Sequence, residues 1–360
     1  MGIKKNIAIL PGDGIGEEVM AQALRVLAEI EQRFGHTFTK VHALIGGAAW
    51  DTYRNHFPEE TKKICAASDA ILFGSIGGPI AEQHLEKWKG CETNSILALR
   101  KAFTFNANFR PARVYPALAD ICPLRSDIVA KGIDVLVLRE LVGDLYFGEH
   151  KTGVRNGRRY ASDVAEYDED QIASVARRAF EASRPRRKKV TSIDKANVLD
   201  TGKLWREVVK EVAREYPDVT TEHMLVDNCA MQLIRRPSDF DVILCPNMFG
   251  DILSDEAAVF PGSLGLTPSA SINAQGFGMY EPSGGSAPDI AGKGIANPIA
   301  QILSTAMLLR FSFSLHEEAA RIEQAVEKAL QAGLRTPDIA QPGARVLGTV
   351  EFTTELLRLI

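Results

Sequence analysis

This chain lacks a large charge imbalance: 42 lysines and arginines stand against 46 aspartates and glutamates, a formal net charge of −4 over 360 residues. That balance, with no basic stripe interleaved with aromatics, excludes an electrostatic grip on nucleic acid as the main activity. The run Arg184-Pro-Arg-Arg-Lys-Lys189 reads as a solvated loop ahead of an apolar strand. Long hydrophobic runs are also absent, so no membrane span is expected. Cysteine is scarce: Cys65, Cys91, Cys122, Cys229 and Cys245 are odd in number and never in C-x-x-C spacing, which argues for a reducing compartment and against structural zinc. Residues 1–10 enter a β-like run without signal-peptide architecture, and the reading is a soluble cytoplasmic protein. The seven histidines show no ligand spacing and receive no role.

What is present is alternation. Strand-like runs at 7–10, 70–73, 135–138, 190–193 and 242–244 alternate with segments of helical period at 19–33 and 171–183. This pattern predicts an α/β fold with helices covering a sheet. An Asn156-Gly157 turn predicts a hairpin followed by an extended run over 158–167. The stretch 260–297 is rich in Gly, Pro and Ser and predicts long loops approaching a ligand.

Two patterns carry chemistry. Leu10-Pro-Gly12-Asp-Gly14-Ile-Gly16 joins a strand to a helix, where glycine loops can cradle phosphate, but its G-x-G-x-G spacing is neither the dinucleotide fingerprint nor a P-loop. Read alone it is a tight turn, with phosphate contact an open alternative. Gly74-Ser-Ile-Gly-Gly78 after another strand offers an opposite wall. In Asn247-Met-Phe-Gly-Asp251-Ile-Leu-Ser-Asp255 two carboxylates lie four residues apart, on one helical face. Either a hard divalent cation such as Mg²⁺ or Mn²⁺ sits between them, or they are a solvated acidic first turn near the positive end of the helix dipole.

These motifs together with Arg100, Arg110, Arg139, Asp194-Lys195-Ala-Asn197 and the run Tyr280-Glu-Pro-Ser-Gly-Gly-Ser-Ala-Pro-Asp289-Ile-Ala-Gly-Lys-Gly-Ile-Ala-Asn297 resemble, in order along nearly the whole chain, the β-decarboxylating dehydrogenases of 2-hydroxy acids, the isocitrate and isopropylmalate type. The resemblance implies a two-domain α/β fold that is not a Rossmann fold, with an arm and helices forming a dimer interface. Residues 1–105 with 262–360 would form a discontinuous cofactor-binding domain, and 106–261 a central domain.

It also implies an activity: NAD-dependent, Mg²⁺- or Mn²⁺-dependent oxidative decarboxylation of (2R,3S)-3-isopropylmalate to 4-methyl-2-oxopentanoate and CO₂, a step of leucine biosynthesis. Another 3-substituted malate, tartrate or homoisocitrate is the alternative substrate. By resemblance Asp251 and Asp255 hold the metal from one subunit and Asp227 completes it from the neighbour, touching substrate as well, in a homodimer with shared sites. Lys195 matches the base for the 2-hydroxyl and Tyr146 the proton donor to C3. Arg100, Arg110 and Arg139 match the carboxylate-binding arginines, for which guanidinium geometry is suited. Lys195 and Asn197 would share a face if the preceding strand continued. Ile15, Gly265, Glu281, Asp289 and Asn297 match cofactor positions, and a carboxylate at 289 favours NAD because it repels a 2′-phosphate.

Ile96, Leu97 and Val198 match the positions that read the 3-substituent, and an apolar trio favours an alkyl group over a buried carboxylate. This segment departs from the family pattern. Residues 80–92 are altered, polar Asn94 and Ser95 precede Ile96, and Val142-Gly-Asp144 stands where Thr-Gly-Gly is usual. Position 284 is glycine where many members have histidine.

Overall fold

The computed structural model describes residues 2–360, which divide into two compact units. The first holds the chain up to Phe103 with Val114–Pro123 and Pro261–Ile360; the second holds Thr104–Arg113 and Leu124–Phe260. The sequence-based division left 114–123 with the central segment. In the structure its short helix Pro116–Ile121 packs within the first unit, where the Arg335 guanidinium donates to the Ala117 carbonyl at 2.8 Å.

The first unit carries five strands of the large sheet in the order Thr37–His42, Lys4–Gly12, Ala70–Ser75, Gly278–Pro282, Pro268–Ile272, and a separate short pair, Leu334–Arg335 with Arg345–Val346. Neighbours among the five are parallel except Gly278–Pro282 with Pro268–Ile272. Ile7, Ile9, Ile71 and Phe73 are fully buried, as an apolar run in a sheet covered on both faces must be. The helix Gly16–Phe34 buries one stripe, including Val19, Ala23, Val26 and Ile30, whereas Ile299–Phe311 is buried around almost its whole circumference and forms the centre of this unit. The stretch 260–297 corrects the expectation of loops, because it contains the strands Pro268–Ile272 and Gly278–Pro282. Asn273 makes the turn between them, its Oδ1 accepting from the Gln275 and Phe277 N–H groups at 3.0 Å each, so serines 269 and 271 lie buried in a ladder.

The second unit orders its strands Ala107–Arg113, Asp134–Glu140, Val242–Cys245, Lys189–Asp194, Thr220–Leu225, the first pair antiparallel and the rest parallel. Arg139 is in register with Cys245, and Leu244 with Ser192, so the carboxyl ends of three parallel strands deliver Arg139, Asn247 and Lys195 side by side. That is where ligand sites form in such sheets. The hairpin His150–Arg155 and Arg158–Asp163 is mostly exposed and turns at Asn156 and Gly157, both at positive φ (51° and 71°), the two-residue geometry that matches strand twist.

The basic run 184–189 is not a free solvated loop. Arg184 pairs with Asp218, and Arg186 with Asp134 and Asp241. Asp241 is 1% exposed, and a buried carboxylate requires such a counter-charge. All five cysteines are buried, with the Cys65, Cys91 and Cys229 thiols pushed up to about 12 by burial, which keeps them unreactive. Among the described residues no helix is long and apolar enough to cross a membrane.

Candidate active site

The helix Asn247–Ala258, called here the aspartate helix, starts after Pro246, which caps it without a side-chain bond. Asp251 and Asp255 therefore lie in its second and third turns, which removes the acidic-first-turn reading. Gly250 lets a neighbouring side chain run along this helix: a Cβ there would meet the Arg139 Cγ at 2.7 Å and Cβ at 2.8 Å. Arg139, 3% exposed, donates from Nε to Asn247 Oδ1 at 2.9 Å and from Nη1 to Asp251 Oδ1. Arg110 donates from Nε to Asn108 Oδ1 at 3.0 Å and from Nη1 to Asp255 Oδ1 at 2.8 Å. Each aspartate of the pair thus faces its own guanidinium.

Tyr146 completes this group. Its hydroxyl donates to Asp251 Oδ2 at 3.0 Å, and the Arg139 guanidinium carbon lies 5.4 Å from its ring centroid. Burial first, and then the Asp251 carboxylate, hold the phenol above its ordinary value, so it stays an O–H donor at neutral pH. Beneath it is a buried network that sequence reading missed. Glu140 accepts from the Val142 N–H (2.6 Å), the Gly143 N–H (2.8 Å) and the Tyr167 hydroxyl (3.1 Å). The Tyr167 oxygen also accepts from the Asn247 N–H at 2.8 Å, and Asn247 Nδ2 donates to the Gly143 carbonyl at 3.0 Å. Asn247 lay inside the quoted motif but had no role; Glu140 and Tyr167 carried no local signal.

Lys195 and Asp227 form a separate pair. The ammonium donates to Asp227 Oδ1, and this partner holds the carboxyl below its usual range. Among the described residues no three acidic, His or Cys side chains gather as a metal site, and Asp227 does not join Asp251 and Asp255 within the chain. The expectation that Lys195 and Asn197 share an extended face is overturned. The strand stops at Asp194, whose carboxylate accepts from the Ala196 N–H at 3.0 Å, and a turn returns the Val198 and Leu199 N–H groups to the Lys195 carbonyl at 3.0 and 2.9 Å. Asp194 is fully buried and is gripped at both oxygens by Arg206, at 2.7 and 2.8 Å. Val198 is 66% exposed.

In the first unit the glycine loop closes on its own aspartate. The Asp13 carboxylate accepts from the Gly47, Ala48 and Gly77 N–H groups at 2.9–3.1 Å, filling the N-terminus of the helix Gly46–Tyr53. Burial raises its pKa despite these donors. A carboxylate in that place occupies the anion hole of that helix, whereas the helix that the loop itself opens, Gly16–Phe34, has no side-chain cap. Beside the loop, Ile15, Gly265 and Asn297 line a pocket with Leu264, Ile290 and Asp338, and Gly74 of the second glycine turn adds wall.

Asp338 was not foreseen from the sequence. It accepts from the Ser263 hydroxyl and, at 3.0 Å, from Asn297 Nδ2, while Asn297 Oδ1 caps the next helix through the Ile299 N–H. Asp289 is exposed and outside the pocket wall, although its neighbour Ile290 belongs to it. Glu281 is absent from the wall as well, because it pairs with Arg100 at 3.1 Å, each side chain 8% exposed. The Arg100 Nε is buried without an acceptor, which is costly unless a ligand supplies one. Gly284 leaves room: a Cβ there meets nothing closer than Leu264 at 3.6 Å.

Ile96 and Leu97 sit in a π-helical turn, Thr93–Leu97, that runs into the short helix of Arg100. Such turns are local insertions that recur at functional sites. The Ser95 hydroxyl is turned inward to the Cys91 carbonyl at 2.5 Å and is fully buried, so it is not offered to a ligand; Asn94 is exposed.

The family model described as isocitrate/isopropylmalate dehydrogenase matches residues 6–356. The chain is 53% identical over 356 residues to the 3-isopropylmalate dehydrogenase of Escherichia coli strain K12, covering 99% of this chain and 98% of that one. Its identity to the Mannheimia succiniciproducens protein of the same name is also 53%, covering 99% of both chains. Among solved structures, isocitrate dehydrogenase from Methylococcus capsulatus matches with a TM-score of 0.86 at 32% identity, covering 99% of each chain. A β-decarboxylating dehydrogenase from Thermococcus kodakarensis in its apo form matches at 0.79 and 35% identity, covering 99% of this chain and 96% of that one.

Proposed function

This chain belongs to the isocitrate/isopropylmalate dehydrogenase family, and from that premise we propose that it oxidatively decarboxylates (2R,3S)-3-isopropylmalate to 4-methyl-2-oxopentanoate and CO₂ with NAD and a divalent cation, as a homodimer. The observation that carries the proposal is the identity of 53% along 99% of the chain to proteins named for this reaction. The geometry supports it at the level of parts.

The residues fit the metal. Asp251 and Asp255 are hard oxygen donors one helical turn apart, with 34% and 69% of their side chains exposed. When bound, the cation supplies Lewis-acid polarisation of the substrate's 2-oxygen. The pocket of Ile15, Gly265, Asn297 and Asp338 would hold NAD, which would supply the hydride acceptor. Arg110 and Arg139 hold substrate carboxylate, and Arg100 offers its unpartnered Nε to another acceptor. Lys195, positioned by Asp227, takes the 2-hydroxyl proton. After CO₂ leaves, the Tyr146 hydroxyl returns a proton to C3 of the enol.

A second copy supplies what one chain lacks. Asp227 shares its helical face with Met231 and Ile234, which are 55% and 45% exposed, and Asp255 is flanked by Ile252 and Val259, at 57% and 47%. Apolar stripes beside metal-ligand aspartates favour pairing with another chain through these helices, which would bring Asp227 of the partner subunit to the Asp251–Asp255 pair. Ile96, Leu97 and Val198 are assigned to the isopropyl group.

Steady-state rates with NAD and Mg²⁺ on 3-isopropylmalate, isocitrate, homoisocitrate and tartrate test the assignment. The alkylmalate is expected to give the highest kcat/KM. A tricarboxylate preferred over it would refute the substrate.

A further inference from the structure

We propose that Asp144 is a positioning residue that ties the turn carrying Tyr146 to the first turn of the aspartate helix. Asp144 adopts φ 66°, a left-handed conformation that most L-residues avoid and that Asp and Asn tolerate best. Glycine would hold that backbone at no steric cost, so the side chain needs a reason to be there. The structure gives one. Asp144 is 8% exposed, and its Oδ2 accepts from the Met248 N–H at 3.1 Å.

Met248 is the second residue of a helix whose Pro246 cap provides no side-chain acceptor. The carboxylate therefore supplies, from a different loop, the cap that the helix lacks, where unsatisfied N–H groups and the helix dipole both favour negative charge. The backbone of the same residue builds the Tyr146 turn. Its N–H donates to the Glu166 carbonyl at 3.1 Å, and its carbonyl accepts from the Phe147 and Gly148 N–H groups at 3.3 and 3.1 Å. The turn is tight, since a Cβ at Gly148 would meet the Val164 carbonyl oxygen at 1.8 Å.

Asp144 thus holds both ends of one hydrogen bond in register, the Tyr146 hydroxyl and its acceptor Asp251 on the capped helix. This inference rests on the roles given to Tyr146 and Asp251 in the proposed function. Glycine at 144 keeps the turn and loses the cap; asparagine keeps both, because its amide oxygen accepts in the same place and it also tolerates positive φ.

The test compares wild type, Asp144→Gly and Asp144→Asn for kcat and KM on 3-isopropylmalate with NAD and Mg²⁺, thermal midpoint, and amide hydrogen exchange of residues 144–148 and 247–251. Asp144→Gly is expected to lower kcat by about fivefold or more with KM for NAD within about twofold, and to speed exchange in those two segments about tenfold. Asp144→Asn should stay within about twofold of wild type in each. Wild-type kcat or unchanged exchange in Asp144→Gly, an equal loss in Asp144→Asn, or loss of the fold in Asp144→Gly would each overturn the positioning role. A wild-type enzyme that turns over none of the acids would instead sink the functional reading, and the exchange comparison would still decide the tie.

Discussion

Glu140 should make this protein less stable as pH rises toward neutrality. The side chain is fully buried at the end of the strand Asp134–Glu140, and burial outweighs its backbone and Tyr167 donors, pushing the carboxyl up from 4.5 to about 7. Below pH 4.5 both folded and unfolded chains hold the proton. Between 4.5 and about 7 the unfolded chain releases it while the folded chain keeps it, so each pH step favours unfolding, and above 7 the loss is complete. An interval of roughly 2.5 pH units at ~1.4 kcal/mol per unit gives a loss of about 3.5 kcal/mol. Glu140→Gln cannot ionise and removes that slope. Its amide NH₂ must face an N–H of Val142 or Gly143, which costs about 1–3 kcal/mol at pH 4.5. The variant should therefore start less stable than wild type and draw level by pH 7.5. Urea midpoints at fixed protein concentration across pH 4.5–7.5 measure this. Parallel curves for the two proteins would refute the buried, proton-holding carboxyl.

Three further outcomes follow from specific contacts. Lys195 and Asp227 pair within one chain, so in the proposed dimer they would belong to the same half of a shared site, and subunits mutated Lys195→Ala and Asp251→Asn should complement each other. Random mixing gives heterodimers with one intact site, about a quarter of wild-type activity, while mixing Lys195→Ala with Asp227→Asn should give none; activity from the second mixture would separate the pair. Asp338→Ala frees Ser263 and Asn297 at the pocket wall and should raise KM for NAD about tenfold with KM for the acid little changed; an unaltered KM for NAD would remove Asp338 from the cofactor wall. Gly250→Ala drives a Cβ into Arg139 and should weaken substrate binding and lower the thermal midpoint together, and a variant with wild-type KM would show that Arg139 has room to move.

Much of the fold was legible because parallel strands buried on both faces must be continuous apolar runs. Residues 7–10, 70–73 and 242–244 announced themselves in that way, and the Asn156-Gly157 turn announced the hairpin. The strand at Pro268–Ile272 was hidden because small residues fit a crowded ladder as well as they fit loops, and that at Gly278–Pro282 because a glycine and a proline bound its three-residue core. At the candidate site, Arg110, Arg139, Tyr146, Asp251 and Asp255, singled out by a resemblance that runs in order along the chain, come together in one unit. Residues that act through long sequence separation were not singled out. Asp144 caps a helix 104 positions away, Asp338 holds Asn297 from 41 positions away, and Tyr167 reaches Asn247 across 80. No spacing rule on a single chain reports such partners, since only tertiary structure brings them within bonding distance. The Lys195 turn was missed for a related reason: its cause is the buried Asp194–Arg206 pair, not the strand that precedes it.

The positive charge that the aspartate pair requires is supplied in two ways, and the exchange between them has a measurable sign. In the free chain Asp251 faces Arg139 and Asp255 faces Arg110, so a divalent cation arriving alone must compete with guanidinium groups for its ligands. Substrate carboxylates arriving alone must likewise compete with aspartates for the arginines. On the proposed function, when both arrive each aspartate would trade its arginine for the metal and each arginine its aspartate for the substrate, so no charge would be left unpaired and the two ligands should assist each other. Arg110→Met separates the two effects, because it leaves Asp255 without its cation. Titration calorimetry of the substrate-free protein should then show tighter Mn²⁺ binding than in wild type, while KM for the acid rises and its dependence on Mn²⁺ concentration weakens. Weaker metal binding in Arg110→Met would mean that the arginine orders Asp255 for the cation instead of competing with it, and the partner-exchange account would fail.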